Sequence, residues 1–242
     1  MSERLVRTWA WLEASPLLWL GATLLAYQFA IWLHRRSGYH PLANPVLVAV
    51  ALLSALLLAT GVPYRSYLDG ASFVHFLLGP ATVALAVPLH AHWHRLRALA
   101  LPLLVSLVVG SCVAAVSAWG MGALLGAGPA SLVSLSAKSV TTPIAMAVSE
   151  RLGGIAALTA VLVIVTGIVG ALCADWLYRL LRIDDPAVRG FALGLAAHGV
   201  GTARAFQYGE QAGAFAALGM GLNGLLTSLA LPWLLPALES LR

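Results

Sequence analysis

Ala98 to Leu125 reads ALALPLLVSLVVGSCVAAVSAWGMGALL, and no charged side chain interrupts it. A hydrocarbon core about 30 Å thick needs roughly 20 mainly apolar residues per crossing helix. This run satisfies that length, and its reading decides the fold class. Comparable runs occur at about Pro16 to Leu33, Val46 to Thr60, Phe73 to Leu89, Gly153 to Tyr178 and Ala212 to Leu238. Of the 242 residues, 60% are hydrophobic and 10% charged, with a mean hydropathy of +0.89. A soluble domain carries roughly a quarter charged residues, so these few cannot clothe a water-facing surface. The sequence therefore predicts an all-α integral membrane protein, one transmembrane domain over 1–242 preceded by a short tail over 1–14.

Proline, glycine and charge divide the runs. Trp32 and Tyr39 flank the basic cluster His34, Arg35, Arg36 at the end of the first, where interfacial aromatics are expected. Asn44-Pro45 and Gly61-Val62-Pro63 frame a short second helix, and the polar stretch Tyr64 to Asp69 reads as a loop. Gly79-Pro80 and Pro88 predict a third run that is kinked or broken. His90, His92 and His94 alternate like a metal-binding tract, but Trp93 and the arginines after them suit a wet interfacial loop better. Cys112 and Cys173 lie within apolar runs, where free cysteine usually serves packing. The first run lacks a convincing cleavage site after it, which predicts a retained span.

Two shorter stretches break the pattern. Residues 134–150 contain SLSAKSVTTPIAMAVS, and 190–205 read GFALGLAAHGVGTARA. Both are too short, polar or glycine-rich for a full crossing. With Arg35-Arg36, Arg95-Arg97 and Arg179-Arg189 all assigned to the cytoplasmic side, each stretch must enter and leave by one face. The resulting expectation is about six transmembrane helices plus two re-entrant half-helical segments from opposite faces, arranged as inverted repeats, with both termini outside. Eight thinner spans are the alternative.

Non-helical backbone at membrane depth survives only where protein or a water-filled cavity surrounds it. Transporters often build a solute site from two such breaks, with helix N-termini aimed at an anion. The first stretch offers Lys138, Ser139, Thr141 and Thr142 before Pro143; the second offers His198, Gly199, Gly201, Thr202 and Arg204. An ionisable group inside a span costs about 2.5 to 3.5 kcal/mol even on the forgiving insertion scale. Lys138 and Arg204 together would suit a small carboxylate, Arg204 bidentately and Lys138 as a point charge. The bland reading has both snorkelling, or paired with Glu150 and Glu210. His198 suits either a satisfied core histidine or a proton-linked ligand, and Asn223 either helix-to-helix bonding or cavity lining. Gly122-x-x-x-Gly126, Gly190-x-x-x-Gly194 and Gly209-x-x-x-Gly213 imply close helix packing. No hydrolase arrangement, P-loop or dinucleotide fingerprint is present, so neither catalysis nor a cofactor or metal is expected. The formal net charge of +5 sits in loop clusters, which argues for orientation and against nucleic acid.

Lys138-Ser-Val-Thr-Thr-Pro-Ile-Ala-Met146 resembles the LrgB/CidB family of membrane proteins. The likeness continues through Gly79-Pro-Ala-Thr-Val-Ala-Leu-Ala-Val-Pro88, Gly153-Gly-Ile155, Thr166-Gly-Ile168, Arg189-Gly190, His198-Gly-Val-Gly-Thr-Ala-Arg204 and Glu210-x-x-Gly-Ala-Phe215. The resemblance implies two functions. Bacterial members are described as holin-like or antiholin-like regulators of murein hydrolase export and autolysis, working with a smaller LrgA/CidA-type membrane protein. The plastid relative exchanges glycolate and glycerate, and bacterial members have been linked to pyruvate movement. The expectation drawn here is a secondary transporter of small monocarboxylates in the bacterial cytoplasmic membrane, in contact with the lipid bilayer and forming a homodimer. The holin-like or antiholin-like regulator is the alternative.

Overall fold

The computed structural model describes residues 15–38, 43 and 45–240. The tail over 1–14, Tyr39 and Asn44 lie outside the described residues. Every regular element among the described residues is helical. The chain divides after Ala84 into two compact units, described separately.

The first unit holds α1 (Pro16–Arg36), α2 (Pro45–Thr60), α3 (Tyr64–Gly70) and α4 (Ser72–Ala84). Gly61, at φ +70°, ends α2 in the left-handed conformation that glycine adopts most cheaply. The expected loop at Tyr64 to Asp69 is instead the helix α3. Its physical reason is Trp19, buried at 1% exposure, which packs edge-on to Tyr67 at 5.9 Å. Thr23 Oγ1 also lies 3.1 Å from the Tyr67 hydroxyl. A polar sequence thus becomes helical because its one inward face has an aromatic to cover.

The second unit begins with α5 (Ala86–Ala91), α6 (Trp93–Ala98) and α7 (Ala100–Leu124). The third apolar run is broken as expected, but at Leu85 rather than at Gly79-Pro80, since Pro80 sits inside α4. Pro88 lies in the first turn of α5 and has no N–H to give the Ala84 carbonyl, so the helix cannot continue across. The alternating histidines fall on α5 and α6 and at their junction, not on a loop. After α7 come α8 (Pro129–Ser136), α9 (Thr142–Arg151), α10 (Ala156–Leu180), α11 (Pro186–Tyr208) and α12 (Glu210–Glu239).

Among the described residues four helices, α1, α7, α10 and α12, are long and apolar enough to cross a membrane. At 1.5 Å per residue, the 25 residues of α7 reach about 38 Å. Leu101, Val109 and Leu124 point outward from it, as a helix bathed in hydrocarbon requires. The second run forms the shorter α2, 16 residues long. Cys112 and Cys173 are free and exposed on α7 and α10, so the packing role expected for them does not hold.

The polar interruptions fold back on themselves. A Cβ placed on Gly154 would meet the Ser149 hydroxyl at 2.2 Å and that of Ser134 at 3.1 Å. Ser134 of α8 and Ser149 of α9 therefore lie side by side, and the two short helices form a hairpin whose turn carries Lys138. In α11 the backbone is non-helical at His198, with φ 42° and ψ −128°. The Leu193 carbonyl lies 2.3 Å from where a Gly201 Cβ would stand. An unbroken helix would hold those two residues about 12 Å apart, so the half after His198 returns alongside the half before it. Asp185 starts α11 by accepting from the Ala187 amide at 2.8 Å. Tyr178, near the end of α10, reaches both ends of this second hairpin: its hydroxyl donates to the Arg189 carbonyl at 2.7 Å, and its ring meets Tyr208 at 6.3 Å. The Arg95–Asp185 ion pair ties α6, just before α7, to the same end of the unit. The long helices α7 and α10 are thus each followed by a hairpin, and the two hairpins lie at opposite ends of α10.

Candidate functional site

The hairpin tips meet at Asn223, which is 1% exposed in α12. Its amide nitrogen donates to the Ser139 carbonyl at 3.0 Å and to the Leu195 carbonyl at 2.9 Å. Its oxygen accepts from Ser111 Oγ at 2.6 Å and from Thr227 Oγ1 at 3.3 Å. Breaking a helix frees carbonyls that apolar surroundings cannot satisfy. One side-chain amide answers both breaks at once. His198 Nε2 lies 3.0 Å from the Val163 carbonyl, and Thr202 Oγ1 donates to the His198 carbonyl at 2.8 Å. A Cβ on Gly167 would stand 2.7 Å from the His198 ring, so α10 admits the imidazole at mid-length. A histidine at positive φ costs on the order of 1 to 3 kcal/mol, and these contacts hold it there.

Beside the first tip is a cavity of about 750 Å³, open on one side where Val113, Val165 and Val169 are exposed. Lys138 and Ser139 line it, with Ser106 of α7 and Thr166 of α10 as further polar groups. The rest of the wall is apolar, Leu103, Val113, Val169 and Phe191 among it. Among the described residues the Lys138 ammonium has no acidic partner. The cavity therefore offers one fixed positive charge, a few hydroxyls and a large apolar remainder.

Arg204 is elsewhere. It lies six residues beyond the break, and the returning half of α11 carries it about 9 Å away from the tip. There its guanidinium donates to Asp175 Oδ2 at 2.6 Å and to Gln207, and lies 5.2 Å over the Tyr208 ring. The Tyr208 hydroxyl donates to the other Asp175 oxygen at 2.5 Å. Its acid is thus Asp175, not Glu150 or Glu210, and Arg204 does not share a pocket with Lys138. The arginine side chain is 14% exposed and that of the aspartate 43%, so the pair lies between a surface contact and a buried one. A double-mutant cycle of Arg204→Gln and Asp175→Asn, followed by melting in detergent, should give a coupling of about 1 to 3 kcal/mol. Additive effects would show that the two charges do not depend on each other.

A model of the LrgB-like family matches residues 23–237. The chain belongs to the LrgB-like family. The LrgB-like chain is 41% identical over 192 residues to the uncharacterized protein YwbG of Bacillus subtilis, covering 79% of this chain and 85% of that one. It is 29% identical over 196 residues to a holin-like protein CidB of Staphylococcus epidermidis, covering 81% and 86% respectively. Against an antiholin-like protein LrgB of Bacillus mycoides it is 29% identical over 222 residues, covering 92% and 96%. No solved structure matches it.

Within this LrgB-like chain, Lys138 and Ser139 are the sequence-predicted site residues that line the cavity. Thr141 adopts extended backbone as the residue before α9, and Thr142 opens that helix. Gly201 lets the two halves of α11 approach and Thr202 bonds back to the His198 carbonyl at the break, whereas a Cβ on Gly199 would meet only open space. Asn223 joins the tips instead of facing the cavity. Ser106 and Asp175 were not singled out by the sequence, and Thr166 entered only through the family likeness. Ser106 carries no signal in an apolar helix, but an aspartate inside the long apolar run before Arg179 could have been recognised as a buried partner.

Proposed function

We propose that the protein acts in the membrane as a holin-like or antiholin-like regulator of murein hydrolase activity and autolysis, together with an LrgA/CidA-type partner. What supports this is the family match along nearly the whole chain and the names of its relatives, CidB and LrgB. In a bacterium that carries the gene, deletion should change the rate of detergent-induced autolysis severalfold, and re-expression should reverse it. An unaltered lysis curve would count against this reading.

A second reading is favoured by one observation, the unpaired Lys138 ammonium in a cavity beside two joined helix breaks. It makes the protein a secondary transporter of small monocarboxylates, such as glycolate, glycerate or pyruvate, across the cytoplasmic membrane. A lysine held at such depth without an acid is costly and gains from an anion. Six crossings, with the hairpins entering from opposite faces, would let one repeat rock against the other around the tips. The end bearing Arg95, Arg97, Arg179 and Arg189 would face the cytoplasm.

Liposomes separate the two readings. Release of large polar dyes supports a lesion-forming holin-like action, and exchange confined to small carboxylates supports a carrier. On the second reading, Lys138→Gln should reduce radiolabelled carboxylate uptake at least 100-fold (on the order of 3 kcal/mol of lost charge pairing), while the protein still melts cooperatively. Uptake undiminished by this change would remove the site.

A further inference from the structure

The chamber at Lys138 is chemically lopsided, and its size and lining say more about a ligand than its charge alone. Its volume is about 750 Å³. Liquid water takes about 30 Å³ per molecule, so a compact three-carbon acid displaces only a few waters' worth of that space. Polar groups gather at Lys138, Ser139, Ser106 and Thr166, while the buried Leu103, Phe191 and Leu195 form an apolar wall. Specific ligand pockets commonly combine an apolar wall with a few placed polar groups.

We infer that this chamber binds a monocarboxylate carrying a branched or extended apolar tail, its carboxylate against Lys138 and its tail along the wall formed by α7, α10 and the first half of α11. The inference rests on the second reading above, that the chamber is a solute site. One cation can neutralise one carboxylate. A dicarboxylate would leave its second charge in an apolar wall with no partner. A glycerate-like acid would place hydroxyls where only three side-chain hydroxyls stand, and would leave most of the wall uncovered. Each methylene that fills an apolar pocket adds roughly tenfold in affinity, so the tail discriminates against short acids.

The test uses the full chain in lipid nanodiscs, with binding followed by calorimetry for 4-methylpentanoate, pyruvate, glycerate and succinate. 4-Methylpentanoate should bind at least tenfold more tightly than the other three, and its methyl ester should not bind. Ala192→Leu, which extends an apolar side chain into the cavity from α11, should weaken 4-methylpentanoate at least tenfold and leave pyruvate within twofold. Lys138→Gln should abolish binding of both. Tighter binding of pyruvate or glycerate, with Ala192→Leu affecting all ligands alike, would overturn the tail and leave the carrier reading standing. Retention of 4-methylpentanoate by Lys138→Gln would mean partition into an apolar crevice and would overturn the inference as well. Binding of none of the four by a chain that melts cooperatively would remove both this inference and the reading beneath it.

Discussion

Replacing Asn223 by leucine is expected to cost about 3 kcal/mol of stability in detergent and to abolish whatever passage the protein provides. Leucine keeps the volume but removes two donors and one acceptor. The carbonyls of Ser139 and Leu195 and the Ser111 hydroxyl lose their partner together. A buried polar group left unmade costs about 1 to 3 kcal/mol, and cycles within membrane bundles fall nearer the low end of that range. Asn223→Asp should be at least as harmful, because a carboxyl group would replace the amide that faces two carbonyl oxygens. Ser111→Ala removes one donor only and should cost less than about 1 kcal/mol. Thermal melting of the three purified variants checks the ranking. Equal melting of Asn223→Leu and the unaltered chain would mean that the hairpin tips stay in place without this side chain.

Gly194→Ala should be equally severe for a different reason. Its Cβ would stand 1.9 Å from the Ala216 carbonyl oxygen and 2.6 Å from its carbon, both backbone atoms of α12. Gly190 meets Ala212 in the same way at 2.0 Å. The first half of α11 and α12 run parallel with their backbones in contact, a spacing only glycine permits. Backbone cannot rotate aside as a side chain can, so the helices must separate. The loss should reach about 3 kcal/mol, the upper end for overpacking, and the double change should prevent recovery of folded protein. Gly221→Ala on α12 is the control, since nothing stands within 4 Å of its Cβ position. If Gly194→Ala melts like Gly221→Ala, the close contact is not a feature of the protein in the membrane.

Both predictions concern packing that the linear pattern reached only partly. Long apolar runs such as Ala100–Leu124 and Ala156–Leu180 were legible because each must satisfy its own backbone within one segment. Pro143 marked a helix start for the same local reason, a missing N–H that a first turn does not need, whereas the start at Pro186 was hidden in a stretch rich in charge. Gly190-x-x-x-Gly194 announced close packing without saying against what. The helix at Tyr64–Gly70 escaped notice because its stability depends on Trp19, more than forty residues earlier, and not on its own polar residues.

At the candidate site the division is sharper. That 134–150 and 190–205 would be interrupted followed from composition, as did the cost of placing Lys138 and Arg204 in lipid. Their separation did not follow, because it depends on the residue at which α11 turns back. That residue is His198, held at positive φ by contacts to Val163 and Thr202. Had the turn come at Thr202 or beyond, Arg204 would stand near the tip; coming where it does, the returning half carries the guanidinium to Asp175. Local chemistry thus decides which segments are helical, apolar or interrupted, since each residue contributes its own share to that outcome. Which charges face one another depends on where distant backbone groups find hydrogen-bond partners, and that is settled only when Asn223, Ser139 and Leu195 are brought together in three dimensions.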